Sequence, residues 1–347
     1  MTDRKLKALT GVVAGVATGA WLLAAQAAAA AEPGEGTTLR VGRATWDTGW
    51  FHTEIYVQAL KDLGYEIEGP TTLDNPALYQ SIAQGDIDFE VNGWFPIHNT
   101  YLDKVGDAVE LVGYVVKGGA LQGYLIDKAT YEKHGIDNLE DFKKPEVKEL
   151  FDTDDDGKAE LVACPPGWGC ELQIKHHLDA YELRDHVDPI KAGYSASMAD
   201  AISRYKNGKP IFFYTWTPNW TVGELALGED VVWIEVPFPS LTEEQKQYED
   251  ATTVQGILGC VDDPCEIGWP VNDIRPVLNA EFAKNNPAAR RLFEVASVPL
   301  SDISAQNAKM FDGEDRKDDI VRHARQWIED NRETYEGWLK QAREAAM

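Results

Sequence analysis

Positive charge is what this 347-residue chain has least of. It carries 33 Lys and Arg against 58 Asp and Glu, for a formal charge of −25. Such a surface repels phosphate, so nucleic acid and anionic membranes are excluded as partners. Cysteine is also scarce. The four present form two close pairs, Cys164/Cys170 and Cys260/Cys265. Neither pair is CxxC and no His pair at ligand spacing lies nearby, which argues against zinc. Beyond residue 31 no apolar run is long enough to cross a bilayer, so the chain is not expected to be membrane-embedded once its leader is removed. Catalytic signatures are missing too: there is no G-x-S-x-G elbow and no HExxH. Ser195 and Ser197 lie near His186 and Asp188 in sequence, which does not make a triad. Acidic residues are too numerous for counting to identify a glycosidase pair. The chain is read as a non-enzyme.

The N-terminus supplies a compartment. Arg4, Lys5 and Lys7 precede an apolar stretch from Ala8 to about Ala25 and an Ala run over 27–31. Residues 1–31 therefore read as a cleaved secretory signal peptide. An uncleaved anchor would fit the length of the stretch, but small residues end it and a Glu-Pro-Gly linker follows. No Cys stands near residues 20–32 to take a lipid. A periplasmic location follows, and there short cysteine pairs read as local disulfides, Cys164–Cys170 and Cys260–Cys265. Losing Asp3, Arg4, Lys5 and Lys7, together +2, takes the charge to −27.

Roughly 315 residues remain, too many for one simple core, so two lobes are expected. TLRVGRATW reads as a strand, Phe51 to Leu63 as a helix stopped by Gly64, Tyr65 to Ile67 as a strand, Pro76 to Gln84 as a helix, and Ile87 to Asn92 as a strand. That β-α-β-α-β order predicts an open α/β sheet with ligand loops at the carboxyl ends of its strands. A second lobe starts near LQGYLIDKATYEKHGI, and VVWIEVPF carries the chain back to the first. The predicted lobes are 32–120 with 238–347, and 121–237, with a hinge and a ligand cleft between them. From Ala280 onward the chain reads as helical.

Tryptophans then stand out. Trp94 in VNGWFPIH, Trp168 in CPPGWGC and Trp216 in FFYTWTPNW each sit beside Pro or Gly or between cysteines, and all three are expected in loops. Several indole faces converging on one point suit a quaternary ammonium cation, which cannot donate hydrogen bonds but is attracted by the ring quadrupole. Trp220 and Trp233 read as structural, and Tyr214 either lines the pocket or, as its place in the strand favours, alternates into the sheet core. The neighbours His176 and His177 read as surface residues.

VNGWFPIHNTYLD, GALQGYLIDKATYEKHGI, LFDTDDDGKAELVACPPGWGCE and FFYTWTPNW, extended by DAISRYKNGKP and VPLSDISAQNAKMFDGE, resemble the glycine betaine/proline betaine substrate-binding proteins of ProU-type ABC transporters. The resemblance spans nearly the whole chain after the leader. It implies an α/β, two-lobed type II periplasmic-binding-protein fold, and an osmoprotectant receptor that serves a membrane permease and its ATPase. It places a three-sided aromatic box on Trp94, Trp168 and Trp216. The carboxylate donors it implies are His98 and the backbone N–H groups of Gly169 and Cys170. The sequence supports the last two independently, because they precede a predicted helix whose N-terminus offers free N–H groups to an anion. A related solute, choline or dimethylsulfoniopropionate, is the alternative ligand. Choline would favour a nearby acid, and Glu171 at the helix start reads more simply as a dipole partner.

Two features depart from the family pattern. Trp46 and Trp50 in ATWDTGWFH have no counterpart in the box and are candidates for additional ligand contacts, for packing at the helix start, or for the cleft rim. The segment 241–273, with Cys260 and Cys265, reads as an elaborated loop. Separately, Asp152, Asp154, Asp156 and Gly157 match the first half of a Ca²⁺ loop, with Lys158 and Glu160 as further oxygen donors, but Ala163 stands where the usual Glu would be. Apart from that candidate ion no cofactor is expected.

Overall fold

The computed structural model describes residues 31–347. The signal-peptide reading, Ala31 apart, concerns residues outside these. Twelve strands occur in chain order among the described residues: β1 Thr38–Ala44, β2 Glu66–Leu73, β3 Phe89–Phe95, β4 Val109–Leu111, β5 Val116–Asp127, β6 Ala159–Val162, β7 Val187–Ile190, β8 Phe212–Thr217, β9 Val231–Ile234, β10 Thr253–Val254, β11 Cys265–Glu266 and β12 Asn272–Asn279.

Ten of them make one sheet ordered β2-β1-β3-β12-β5-β8-β6-β7, with β4 added to β12 and β9 to β5. It has two wings. In one, β1 runs parallel to β2 and β3. In the other, β6 runs parallel to β7 and β8. Antiparallel strands join them: β12 lies on β3, β5 lies on β8, and β12 meets β5 at Asn272↔Ala120 and Ile274↔Val116. Because β12 returns to the first wing from far along the chain, that wing is built from two separate stretches of sequence.

Local chemistry explains the elements that carry the site. FEVNGWF in β3 is buried at every position, as expected of a strand covered on both faces. Asp74 accepts the Ala77 N–H and Pro76 occupies the first turn of the helix Asn75–Gln84, which ends at Gly85 with φ 77°. The helix Gly169–Ala180 starts at Trp168 and buries Gln173, Ile174, His177 and Leu178 along one face.

Three sequence readings need correction. Trp94 and Trp216 lie near the ends of β3 and β8, not in loops, and only Trp168 is on a loop. Their turn-like neighbours mark where the strands stop. His177 is fully buried, 3.0 Å from the Tyr124 hydroxyl and 3.1 Å from the Ser240 carbonyl oxygen. It lies on the same helical stripe as Gln173 and Ile174, a periodicity that outranks its polarity. Finally, the segment read as a loop over 241–273 runs into a strand beginning at Asn272. Within that segment Trp269 is completely buried against Tyr124, Tyr214 and His177. The disulfides Cys164–Cys170 and Cys260–Cys265 are both formed.

Candidate functional site

Between the wings lies a cavity lined by Trp46, Trp94, Ile97, His98, Gln122, Trp168, Gly169, Cys170, Tyr214 and Trp216. The first four come from the β1 and β3 side. The others come from β5, β8 and the start of the helix Gly169–Ala180. None of the ten is a carboxylate, Lys or Arg.

Three of the indoles meet edge-on at Trp168. Trp168 lies 5.5 Å from Trp216 at 77° and 5.2 Å from Trp46 at 70°. Tyr194 packs behind Trp216 at 4.7 Å. Near-perpendicular rings close several sides of one space instead of stacking into a slab, so several π faces can border one small guest. Two of the rings are fixed from outside the cavity. Trp94 donates its indole N–H to Asn92 at 3.0 Å and Trp168 to the Thr45 hydroxyl at 2.8 Å. The Cys164–Cys170 bridge and Gly167, with φ 90°, hold the tight loop that presents Trp168.

The cavity has a second, polar region. His98 is 3% exposed. The Trp94 backbone N–H, which can only donate, gives its proton to His98 Nδ1 at 3.1 Å, and the Tyr79 hydroxyl lies 3.0 Å from the same atom. Nδ1 is therefore the acceptor and Nε2 carries the hydrogen. Nε2 lies 3.2 Å from the Asn75 side-chain amide, whose oxygen must face it to accept that hydrogen, and beside Gly169, where a Cβ would come within 3.6 Å of it. Burial lowers the His98 pKa to about 3, so the ring is a neutral donor at physiological pH. Gly169 and Cys170 open their helix, with no side-chain cap on it, and their N–H groups have no acceptor among the described residues. A helix N-terminus of this kind is positively polarised.

Glu171 is the acid nearest in sequence, but its charge is already engaged. It pairs with Lys175 at 2.6 Å and Lys191 at 3.8 Å and accepts the Gly167 N–H at 3.2 Å. Burial pushes its pKa up, and these partners outweigh it to leave a net fall.

The structure thus brings together Trp46, Trp94, Trp168, Trp216, His98, Gly169 and Cys170. It leaves out Trp50, which donates to the Ala44 carbonyl at 3.0 Å and lies under the Arg43 guanidinium at 3.6 Å. Gln122 and Ile97 were missed as lining residues. Tyr214 is buried as expected and also faces the cavity, where its hydroxyl donates to Gln122 at 2.6 Å. A usable signal was the β5–β8 register, which sets Gln122 directly opposite Trp216. It requires knowing that GALQGYLID and FFYTWT pair.

The sequence profile described as the substrate-binding domain of ABC-type glycine betaine transport systems matches residues 37–330. The chain belongs to that family. It is 42% identical over 315 residues to the glycine betaine-binding periplasmic protein OusX of Dickeya dadantii, covering 90% of this chain and 92% of that protein. It is 41% identical over 324 residues to the glycine betaine/proline betaine-binding periplasmic protein of Escherichia coli, covering 93% and 95%. The fold matches that of lactococcal OpuAC, crystallised closed with glycine betaine, with a TM-score of 0.65 at 20% identity over 87% of this chain and 99% of that one. The family fold is two-lobed, and its members are solute receptors of ABC transporters rather than enzymes. Among the described residues no helix is long and apolar enough to cross a membrane.

Buried imidazoles set an acid limit on this receptor. Burial lowers the pKa of His52 to about 4, and of His98 and His177 to about 3. Each stays neutral when folded but takes up a proton when unfolded below about pH 6.5. Its contribution to stability is complete above that pH and is lost as pH falls toward the folded pKa, at about 1.4 kcal/mol per pH unit per ring. Burial raises the pKa of Glu90 to about 8, which acts in the opposite direction between its unfolded and folded values. Asp47 and Glu160 are raised in the same sense as Glu90 but by less, and the three rings outweigh them. Melting scans are expected to show Tm falling by roughly 5–10 °C from pH 7 to pH 5. A flat profile would mean that these rings are hydrated or charged in the native state.

Proposed function

We propose that the chain captures glycine betaine and proline betaine in this cavity. The observation that carries the reading is the cavity's division. Indole faces crowd one region, neutral N–H donors line another, and no free charge lies in either. The trimethylammonium group would be held by Trp94, Trp168 and Trp216, each face contributing ~0.5–2 kcal/mol once water is excluded. The carboxylate would accept from His98 Nε2–H and from the Gly169 and Cys170 N–H groups at the positive end of their helix. Together these suit micromolar binding, about −8 kcal/mol. Choline offers no carboxylate for the donors, and Glu171 is not available to its cation.

The periplasm is the proposed location, following export on residues 1–31, with delivery to a permease and its ATPase. The proposed lobes are 32–120 with 238–347, and 121–237, closing on the solute. The return of β12 to the first wing supports that division.

Trp46 is proposed as a fourth wall. It borders both Trp168 and His98, the latter at 5.9 Å. Titrations followed by tryptophan fluorescence test the reading. Glycine betaine is expected to give a saturable change, and Trp46→Ala to raise Kd by about 5–10-fold, one face of modest value. No saturable change in the parent protein would remove the assignment. An unchanged Kd in the variant would confine Trp46 to packing.

A further inference from the structure

The segment 152–160, DTDDDGKAE, leads from the helix Pro145–Phe151 into the start of β6 and lies outside the solute cavity. Carboxylates fall at its first, third and fifth positions and glycine at the sixth, where Gly157 has φ +85°. The folded chain gathers these side chains with a fourth. One carboxylate oxygen from each of Asp152, Asp154, Asp156 and Glu160 lies within 4.8 Å of all the others. Lys158, the loop's own cation, points its ammonium at the Arg184 carbonyl, 3.1 Å away.

Glu160 is the independent sign that something belongs between them. The aspartates are exposed or half-buried, but Glu160 lies in β6 and is 8% exposed. Its Oε2 accepts the Thr153 N–H, while its Oε1 is sealed from solvent with no partner. An unsatisfied oxygen on a buried carboxylate that sits beside three more carboxylates is costly, and a cation among them would offset both the desolvation and the repulsion.

We propose that Asp152, Asp154, Asp156 and Glu160 bind a Ca²⁺ ion that clamps this loop onto β6. The donors are all hard oxygens, and their spacing is that of a calcium loop, with the Lys158 carbonyl at the seventh position and Glu160 at the ninth. Ala163 at the twelfth position removes the usual bidentate ligand. The affinity is therefore placed with weak extracellular sites, on the order of 10⁻⁴–10⁻³ M. Strand β6 runs on through Ala163 to Cys164, so the clamp steadies the root of the loop that carries Trp168.

The test uses the full purified protein, stripped with EDTA and dialysed, in melting and calorimetric titrations with CaCl₂ and MgCl₂ at matched ionic strength. CaCl₂ at 10 mM is expected to raise Tm by several degrees and to give saturable heat, with MgCl₂ giving less. Asp154→Asn, at an exposed position, is expected to fold normally, to melt in EDTA no lower than the parent, and to weaken Ca²⁺ binding at least about tenfold. Glu160→Gln is expected to weaken it similarly. Equal Tm in EDTA and 10 mM CaCl₂ with no saturable heat would overturn the proposal. So would equal responses to Mg²⁺ and Ca²⁺, which indicate screening alone, or an unaltered Ca²⁺ response in both variants.

Discussion

Replacing Trp168 by Ala is expected to raise the Kd for glycine betaine by about 30-fold or more. This ring borders Trp46, Trp216 and Tyr194, and it joins the wings by donating to Thr45. Removing it opens the aromatic enclosure on several sides and admits water. A desolvated cation–π contact is worth about 2 kcal/mol or more, and each 1.4 kcal/mol is a factor of ten. The preorganisation supplied by the Cys164–Cys170 loop would also be lost to the ligand. Trp50→Ala is the control, an indole that borders the adjoining cleft but does not line the cavity, and is expected to change Kd by less than about threefold. Trp233→Ala is a poor comparator for binding. Trp233 is wholly buried, and emptying such a site costs about 3–5 kcal/mol of stability. Equal losses in the Trp168 and Trp50 variants would remove the box.

The second large effect is one of selectivity. His98→Ala is expected to weaken glycine betaine by about 10–100-fold, the value of a hydrogen bond to a charged group. Choline has the cation without the carboxylate, and its weak binding is expected to change little. The ratio matters more than either value, because His98 also accepts the Trp94 N–H, and its removal disturbs the wall of the cavity for every ligand. A uniform loss for both solutes would assign His98 to shape alone. With a pKa near 3 the ring does not titrate near neutrality, so affinity is expected to be flat from about pH 6 to pH 8.

Legibility in the sequence followed how local each signal was. Trp168, Gly169 and Cys170 form one short run closed by a disulfide and continued by a helix, and both the loop and the helix start could be read directly. The parallel β-α-β opening was readable because its helices carry apolar residues at helical spacing and end at glycines, with the strands falling between them. Trp94 and Trp216 were recognised as important but misplaced, since proline after a strand looks like proline in a loop. What escaped was set by pairing between distant segments. Gln122 acquires its place from the register with Trp216, and β12 from strands more than a hundred residues earlier. His177 escaped because a polar residue on a buried helical stripe is satisfied by Tyr124 and Ser240, partners that sequence spacing does not reveal.

Calorimetric titration of the protein, unfolded and refolded to strip any carried solute, with glycine betaine and then with choline tests the central claim most directly. A cavity with indole faces in one region and neutral N–H donors in another predicts saturable binding of glycine betaine at micromolar Kd or tighter, and binding of choline that is far weaker or absent. Saturable binding of choline alone, or of neither solute, would contradict the account.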